Sequence, residues 1–380
     1  MTTAEHDVRA GVAGARRVVV KIGSSSLASA RAGLDVARLE ALADTLADRH
    51  AAGGDVVLVS SGAIAAGLEP LGLTHRPTDL AQSQAAAAVG QGLLVSAYTR
   101  AFARHGIQAA QVLLTVGDLA RKTSYANALR TFGALTRLRV VPVVNENDTV
   151  ATREIRFGDN DRLAALVAEL VRADALVLLS DVDGLYTAHP ETPGARRIGF
   201  VPDLGTLEAD VDTPGAAGVG SGGMASKLEA ARLATAAGIP VVLARFDQAR
   251  SALAGEAVGT AFAAASRRRS RRLLWLADAS LAAGRLFVDA GAARALTTTP
   301  ASLLAAGVRR VEGDFSAGDA IEVVDPAGTV IARGLVAFDA ADLPAMLGRS
   351  TSDLAESLGT RFAREVVHRD DLVLTRRTKG

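Results

Sequence analysis

Short apolar runs alternate with Ala- and Leu-rich stretches between residues 17 and 265. The apolar runs are rich in Val and are bounded by polar or glycine residues, so they predict buried strands at 17–22, 56–60, 109–114, 140–144, 175–180 and 239–243. The stretches between them predict helices near 36–51, 80–104, 124–137, 160–172 and 225–237. This alternation predicts an α/β fold with a mainly parallel central sheet, covered by helices on both faces, whose ligands lie at the carboxyl ends of the strands.

The pattern changes after residue 265. The seven residues 266–272 contain five arginines and predict either a solvated boundary or a basic patch. Short β-like runs split by Gly and Asp follow at 284–289, 308–313, 319–324 and 329–334, and they predict a small β-barrel. The predicted organisation is a first domain at 1–265, an arginine-rich linker at 266–283, a β domain at 284–366 and a C-terminal tail at 367–380.

Composition limits the class of protein. The chain has 380 residues, enough for two or three domains, and 49% of them are hydrophobic. No run approaches the roughly 18 apolar residues of a membrane span, so no membrane association is expected. The first sixteen residues lack the pattern of a secretory signal, and the absence of cysteine excludes disulfides and thiolate zinc sites, which fits the cytoplasm. A net charge of +1 gives the chain as a whole no nucleic-acid-binding signature.

Two lysines lie next to segments of small residues. Lys21 ends an apolar run and precedes Gly23 and three serines, so it predicts an ammonium group and free backbone N–H groups at the edge of the sheet. A solvent-facing lysine at a strand end would have the same pattern, and the spacing is not that of a Walker A motif. Lys227 closes the Gly-rich segment 220–227 after a predicted exposed loop at 206–223. It is expected in the first turn of the next helix, where it could hold a phosphate or simply face solvent.

Hydroxyl and carboxylate groups follow two other predicted strands. Ser61 and Gly62 come after the run 56–60 and predict a turn that binds a carboxylate or phosphate, although an ordinary strand-to-helix turn would look alike. A Gly-x-Ser-x-Gly motif is absent here, so nucleophilic serine chemistry has no support. Ser180 and Asp181 end the run that starts at residue 175, and they predict either a nucleotide contact or an Asx turn.

A dense group of carboxylates and carboxamides lies between these motifs. Four of them, at 145–148, follow the strand 140–144, and Asp159, Asn160 and Asp161 open the next helix. Seven polar groups exceed the needs of an N-cap, for which one side chain suffices. Asp is suited to bind an α-amino group, and Asn to bind carboxylate oxygens. The group therefore favours an amino-acid substrate.

Together these segments resemble the amino-acid kinase superfamily, and most closely its bacterial glutamate 5-kinases. The resemblance is carried by Val-Lys-Ile-Gly-Ser-Ser, Ser-Ser-Gly-Ala-Ile-Ala-Ala-Gly, Asn-Glu-Asn-Asp-Thr-Val-Ala-Thr, Phe-Gly-Asp-Asn-Asp, Ser-Asp-Val-Asp-Gly-Leu-Tyr and Gly-Ser-Gly-Gly-Met-Ala-Ser-Lys. It covers about 1–265 as a kinase domain. The β-rich remainder resembles the PUA domain, an RNA-binding type of fold.

The resemblance implies a cytoplasmic enzyme that uses ATP and Mg²⁺ to phosphorylate the γ-carboxylate of L-glutamate, the first step of proline biosynthesis. It further implies a homo-oligomer that proline inhibits by feedback, and it leaves RNA binding by the PUA domain open. Two alternatives remain at this stage. One is a kinase for another acid, such as aspartate or N-acetylglutamate, and the other is an RNA-binding regulatory protein.

The same resemblance implies roles for individual residues. Lys21 and Lys227 would neutralise the transferring phosphoryl group, and Asp161 would hold both lysines in place. Glutamate would be bound by Ser61, Asp148 and Asn160. ATP would be bound by Lys21, Ser180, Asp181, Ser221, Gly222, Gly223, Met224, Ala225, Ser226 and Lys227. No residue is assigned to the metal ion.

Overall fold

The structure of the protein, a computed structural model, describes residues 1–29, 33–150, 160–188, 190–205, 207, 222–265, 282–299 and 301–375. These residues form two compact units. The first contains the described residues up to 116 and from 126 to 265, and the second contains 117–125 and the described residues from 282 onward. Residues 117–125, which the sequence analysis placed in the first domain, thus group with the second unit.

Most of the first unit is built around one eight-stranded sheet. Its strands are β1 (Arg17–Ile22), β4 (Asp55–Ser60), β5 (Ala109–Leu114), β6 (Val141–Glu146), β7 (Ala175–Ser180), β10 (Phe200–Val201), β11 (Val241–Arg245) and β12 (Thr260–Phe262). The short pairs β2 (Ala28–Ser29) with β3 (Gly33–Leu34) and β8 (Leu185–Tyr186) with β9 (Arg197–Ile198) lie outside this sheet.

The strands are ordered β10-β12-β11-β7-β1-β4-β6-β5. From β11 to β5 all neighbours are parallel, whereas β12 is antiparallel to β11 and parallel to β10. The predicted α/β class with a mainly parallel sheet is confirmed. Parallel strands need crossover connections, which the helices of this unit provide.

The described helices up to residue 265 are α1 (Thr3–Ala13), α2 (Ser24–Leu27), α3 (Val36–Ala51), α4 (Ala63–Leu68), α5 (Leu80–Ala103), α6 (Val116–Ala120), α7 (Lys122–Arg137), α8 (Asn160–Leu170), α9 (Gly222–Ala236) and α10 (Ala249–Leu253). Most of α6 and the start of α7 group with the second unit, and the other helices belong to the first. Asp35 and Asp79 cap α3 and α5 through side-chain hydrogen bonds to backbone N–H groups. These helices begin where the sequence predicts them.

Helices cover both faces of the sheet. Val18 and Val20 of β1 belong to an apolar cluster that includes Leu42 of α3 and Tyr98 of α5. Val19 points to the opposite face because successive side chains of a strand alternate, and it is also fully buried. On that second face α8 packs against β1, β4 and β7, and α9 packs against α8. Burial on both faces explains the nearly continuous apolar sequence of these strands.

The second unit contains a five-stranded sheet in the order β14-β13-β15-β16-β17. Its strands are β13 (Gly284–Val288), β14 (Val308–Gly313), β15 (Ala320–Val324), β16 (Val330–Leu335) and β17 (Leu372–Leu374). Its helices are α11 (Ala290–Thr298) and α12 (Thr351–Leu358). The first four strands lie where the sequence predicts them. A separate apolar cluster, formed by residues between 286 and 367, is the core of this sheet domain.

Some predicted features fall partly or wholly outside the described residues: the loop at 206–223, the linker 266–283 with its arginine-rich segment 266–272, the tail 367–380 and the polar residue Asp159. Helix α9 begins at Gly222, three residues before its predicted start, because a glycine pair that suggests a loop is tolerated in the first turn of a helix. Within the described part of the chain, no helix is long and apolar enough to cross a membrane.

Candidate active site

Four neighbouring strands, β7, β1, β4 and β6, place their carboxyl ends at one edge of the first unit's sheet. A cavity of about 270 Å³ opens there. Its walls are the end of β1, the turn between β4 and α4, the end of β6, and the first turns of α8 and α9. Open parallel sheets bind their ligands at this edge, so the cavity is the candidate site of the first unit.

Two lysines share one carboxylate in this cavity. Lys21 Nζ lies 2.6 Å from Asp161 Oδ1, and Lys227 Nζ lies 3.2 Å from Asp161 Oδ2. The Ser226 hydroxyl donates a hydrogen bond to Asp161 Oδ2 at 2.8 Å. Lys21 and Asp161 are 3% and 2% exposed, so these charges are held away from bulk water. The three ionised groups carry a net charge of +1, which suits the site to an anion.

Asp161 stays ionised in this setting. Burial alone would raise the pKa of its carboxyl group, but the charges of Lys21 and Lys227, with hydrogen bonds from Lys21 and Ser226, lower that pKa below its ordinary value. Asp161 is the second residue of α8 and Lys21 is in β1, against which α8 packs. The pairing therefore follows from the strand–helix packing itself.

Lys227 lies in the second turn of α9, not in the first turn as predicted, because the helix begins at Gly222. Its ammonium group also donates a hydrogen bond to the Gly223 carbonyl oxygen at 3.0 Å. Gly223, Ser226 and Lys227 line the cavity. The side chain is thus held at the amino-terminal end of a 15-residue helix, where backbone N–H groups and the helix dipole favour an anion.

A buried carboxamide network joins the start of α8 to the ends of β4 and β6. Asn160 Nδ2 lies 2.9 Å from Ser61 Oγ, 2.8 Å from Asn145 Oδ1 and 3.1 Å from the Ser60 carbonyl oxygen. Asn145 Nδ2 donates in turn to Gln91 Oε1 at 2.7 Å. Asn160 Oδ1 is buried and has no hydrogen-bond partner within the described residues. Because Asn160 lines the cavity, this oxygen is available to accept a hydrogen bond from a ligand.

The turn between β4 and α4 places Ser61 in the wall. Its backbone N–H donates to the Ile22 carbonyl oxygen at 3.1 Å, which ties the turn to β1. Gly62 has a φ of 104°, a left-handed conformation that favours glycine. The chain can therefore leave β4 and enter α4 within two residues, with Ser61 lining the cavity.

Two further charged groups, of opposite sign, line the cavity. Asp148 follows β6 and is partly buried, and burial raises the pKa of its carboxyl group, while the nearby charge of Arg76 works against that rise. Arg76 belongs to the loop between α4 and α5 and lines the same cavity. This pair of charges could therefore recognise a ligand that carries both an ammonium and a carboxylate.

Ser180 and Asp181 lie beside the cavity without lining it. The Ser180 hydroxyl donates to Asp181 Oδ1 at 2.9 Å. Burial raises the pKa of Asp181, but hydrogen bonds from Ser180 and Ser25 and the charge of Lys227 outweigh it and lower that pKa. The pair is therefore on the Lys227 side of the site, at the end of β7. Of the predicted phosphate loop, Ser221 lies outside the described residues, and Met224 and Ala225 do not line the cavity.

Sequence reasoning missed three residues of this region. Arg76 stands alone in a polar loop, a pattern with no specific meaning. Gln91 and Tyr98 are on α5, and Tyr98 lies 3.0 Å from the Ser60 hydroxyl through its own hydroxyl oxygen. The sequence predicts both only as residues of the helix near 80–104. Their place at the ends of β4 and β6 depends on the packing of α5, which has no sequence signal.

Comparison with known families agrees with this architecture. The sequence matches the amino acid kinase family over residues 16–245 and the PUA domain over residues 284–358. The carbamate kinase of Giardia lamblia bound to AMP-PNP superposes with a TM-score of 0.50 at 18% identity, over 67% of this chain and 100% of that one. At that identity the likeness shows the fold of the first unit and nothing finer.

Curated relatives are much closer. The chain is 59% identical over 368 residues to the glutamate 5-kinase of Salinispora arenicola (strain CNS-205), covering 97% of this chain and 100% of that protein. It is 58% identical over 367 residues to the glutamate 5-kinase of Streptomyces coelicolor, covering 96% of this chain and 98% of that protein. The similarity thus extends through both units.

Proposed function

Because the chain belongs to the amino acid kinase family, and within it to the glutamate 5-kinases, we propose that it transfers the γ-phosphoryl group of ATP to the γ-carboxylate of L-glutamate. The product is L-glutamyl 5-phosphate, and the reaction is the first step of proline biosynthesis. The observation that carries the proposal is the pair of lysines held on the two oxygens of Asp161, at the edge of the sheet.

The chemical step needs little from the protein besides alignment and charge. An oxygen of the γ-carboxylate forms a bond to the γ-phosphorus, the bond from that phosphorus to the β–γ bridging oxygen breaks, and ADP leaves with the electron pair. The γ-carboxylate of glutamate is ionised near pH 7, because its ordinary pKa is about 4.3, so no general base is required. Catalysis then rests on positioning and electrostatic stabilisation.

Two anions must approach each other in this reaction. Lys21 and Lys227 offset their repulsion, since each ammonium group can contact a phosphoryl oxygen while Asp161 fixes its direction. Fixed charges in a water-poor site stabilise a transition state more strongly than mobile charges in water. The amino-terminal end of α9, with Gly223 and Ser226, holds the ATP phosphates beside them.

Substrate recognition occupies the other walls. Asp148 accepts hydrogen bonds from the α-ammonium of glutamate, and Asn160 Oδ1, which has no partner within the described residues, is a second acceptor for it. Ser61 donates to a substrate carboxylate. Ser180 and Asp181 contact the nucleotide from the end of β7. These roles combine the family resemblance with the positions of the side chains around the cavity.

The proposal includes Mg²⁺ bound with ATP. Among the residues that the structure describes, no group of three or more His, Cys, Asp or Glu side chains could hold a metal ion. Mg²⁺ in kinases is commonly held by phosphate oxygens and water with one or two carboxylates. The described carboxylates therefore fit an ion that arrives bound to the nucleotide. Asp181 is the carboxylate beside the proposed phosphate site. When bound, the ion would neutralise part of the phosphate charge.

A substrate panel tests the proposal against its nearest rivals. ADP release is measured with ATP, Mg²⁺ and either L-glutamate, L-aspartate or N-acetyl-L-glutamate, and hydroxylamine traps any acyl phosphate as a hydroxamate. We expect glutamate to give the highest kcat/KM and the hydroxamate to form in step with ADP. Preference for aspartate or N-acetylglutamate would assign the site to another acid, and ADP release without hydroxamate would reveal ATP hydrolysis.

Asp148 provides a prediction about binding. Replacing Asp148 with Asn should raise the KM for glutamate by about 10- to 100-fold with a smaller change in kcat, because a charge-assisted contact made in the ground state is lost. Glutarate, which lacks the α-ammonium, is the matched control substrate, and the substitution should raise its KM much less. Equal losses on both substrates, or an unaltered KM, would remove Asp148 from ammonium recognition.

The same residue predicts a pH dependence. Burial raises the pKa of Asp148, so its ionised form, and with it the contact to the ammonium, is present above that pKa and lost as the pH falls through it. We expect kcat/KM to begin falling at a pH above the ordinary aspartate value of about 3.9. Asp148→Asn should lose this ionisation and keep only that of the substrate. Identical pH profiles for the two proteins would contradict the assignment.

We also propose that residues 1–265 suffice for catalysis. The apolar cluster of the first unit draws its buried members from residues 12 to 261, and the cluster of the second unit from residues 286 to 367. Truncation after residue 265 should therefore leave a cooperatively folding kinase with glutamate-dependent ADP release. The truncated chain's thermal transition and activity check this. An insoluble or inactive product would mean that the second domain is structurally required.

Three further properties rest on the resemblance alone. We propose that proline inhibits the enzyme by competing with glutamate, that the chain forms a homo-oligomer, and that the enzyme is cytoplasmic. Inhibition by proline that rising glutamate relieves, and a solution mass above 39.0 kDa, are the expected results. RNA binding by the PUA domain stays a separate question, for which filter binding with the full chain is the test.

A further inference from the structure

The substrate that we propose carries three charged groups, and the charged side chains assigned above pair with two of them. The γ-carboxylate faces the phosphoryl group and the two lysines, and the α-ammonium faces Asp148. The α-carboxylate remains. Besides the two lysines, Arg76 is the cationic side chain among the described residues that line the cavity. In the proposed reaction both lysines, held by Asp161, meet the phosphoryl group, so Arg76 is the remaining cationic candidate for the α-carboxylate.

Arg76 lines the same cavity as Asp148, the group that would hold the ammonium. Its positive charge acts on the carboxyl group of Asp148 and works against the rise in pKa that burial causes. In an α-amino acid the ammonium and the carboxylate are bonded to the same carbon. A receptor for both therefore needs an anion and a cation in the same cavity, and Asp148 and Arg76 are such a pair.

The loop that carries Arg76 is tied to the start of α5. Pro77 follows it directly, and the Pro77 carbonyl oxygen accepts a hydrogen bond from the Ser83 hydroxyl at 3.0 Å. Asp79 caps α5 by accepting from the Gln82 backbone N–H at 2.9 Å. Proline limits the backbone on both sides of the peptide bond that precedes it. Arg76 is exposed, yet its backbone is anchored within a few residues.

We propose that the Arg76 guanidinium binds the α-carboxylate of glutamate while Asp148 binds its α-ammonium. This inference rests on the proposed function, because it concerns the same substrate in the same cavity. A guanidinium has five N–H donors in a planar fork, so Arg76 can keep a protein contact and still present two donors to a carboxylate. The pair makes the site selective for free α-amino acids over acids whose α-carboxylate is blocked.

The test compares two substrates. L-Glutamic acid α-amide keeps the α-ammonium and the γ-carboxylate but replaces the α-carboxylate with a neutral amide. For the full chain, Arg76→Gln should raise the KM for glutamate by about 10- to 100-fold with kcat changed only a few-fold, because a charge-assisted bidentate contact is lost. For the α-amide, the kcat/KM of Arg76→Gln should differ from that of the wild type by less than about 3-fold. If the α-amide is not turned over, its inhibition constant against glutamate should change by equally little.

Two variants sharpen this comparison. Arg76→Lys keeps the charge without the fork and should fall between the wild type and Arg76→Gln. Arg100→Gln is the control, since Arg100 is exposed on α5 and donates to the Ser96 hydroxyl away from the cavity. This variant should keep the wild-type KM and kcat for both substrates.

The outcomes separate this inference from the proposed function. Equal losses on glutamate and on the α-amide would show that Arg76 merely holds Asp148 or its loop, and unchanged KM values would show no role; either result overturns the inference. A wild-type protein that does not phosphorylate glutamate at all would instead overturn the proposed function. Loss on glutamate alone supports both.

Discussion

Replacing Lys227 with Ala is expected to lower kcat by about 10²- to 10³-fold with a much smaller change in glutamate affinity, and Lys21→Ala should do the same. In the proposed mechanism, each variant removes one of two positive charges that meet the transferring phosphoryl group. Charge accumulates there most strongly in the transition state, so the loss should appear in kcat and kcat/KM more than in binding.

Steady-state kinetics and calorimetric binding of glutamate separate these effects. Arg232→Ala is a suitable control, because Arg232 is exposed on the same helix as Lys227 and does not line the cavity. It should retain wild-type kinetics. If either lysine variant keeps full turnover, that lysine does not contribute to phosphoryl transfer.

Asp161→Asn should affect both stability and turnover. The substitution keeps the size of the side chain but leaves two neighbouring ammonium groups without their counter-charge, one of them on a Lys21 side chain that is 4% exposed. Breaking a buried ion pair from one side typically costs about 3–5 kcal/mol. Turnover should fall as well, because the lysines lose the group that fixes their positions.

The stability effect has a defined pH window. The charges of Lys21 and Lys227 hold the pKa of Asp161 below its ordinary value despite burial, so its ionised form stabilises the folded state above the unfolded pKa of about 3.9. This contribution is lost as the pH falls through the lower folded-state pKa. The difference between the thermal unfolding temperatures of the wild type and Asp161→Asn should therefore be largest near neutral pH and become smaller in strong acid.

Asp48→Asn supplies the comparison for a solvent-exposed pair. Asp48 contacts Arg250 on the surface, where both side chains are at least 60% exposed. Exposed pairs contribute about 0–1 kcal/mol, so this variant should unfold almost as the wild type does. An Asp161→Asn protein that is as stable and as active as Asp48→Asn would refute the structural role given to Asp161.

Much of the first unit could be predicted from the sequence, because its parallel strands are buried on both faces and form clear apolar runs. β1 was predicted with its observed bounds, and so was α3, which follows a capping Asp35. β10 and β12 were not predicted. They have two and three residues, too few for a periodic signal, and only their pairing in the sheet identifies them.

The amino-terminal helix α1 was missed for a related reason. Its first residues are polar, and the buried pair of Glu5 and Arg9, 2.9 Å apart, looks in sequence like an exposed charged segment. The Arg9 guanidinium donates to the carbonyl oxygens of Gly199, Glu256 and Val258. These partners are about 190 residues or more away in sequence, so nothing local indicates that the arginine is buried.

The residues of the candidate site also differ in whether the sequence predicts them. Lys21, Asp161 and Lys227 lie in segments with recognisable local sequence patterns, and parallel strand order brings strand ends and the starts of the following helices to one edge. Arg76 reaches that edge through an irregular loop, and Gln91 through helix packing. Neither kind of placement has a sequence signature, since both depend on contacts between distant segments.

In the proposed reaction, the γ-carboxylate of glutamate itself attacks the γ-phosphorus of ATP. L-Glutamate labelled with ¹⁸O in both γ-carboxylate oxygens tests this directly. Attack places one labelled oxygen between carbon and phosphorus, and cyclisation of the product, in which the α-amine attacks the acyl carbon, releases phosphate that keeps this oxygen. Mass spectrometry of the phosphate should find one ¹⁸O atom per molecule. Phosphate without the label would mean that water, not glutamate, receives the phosphoryl group, and would contradict the account.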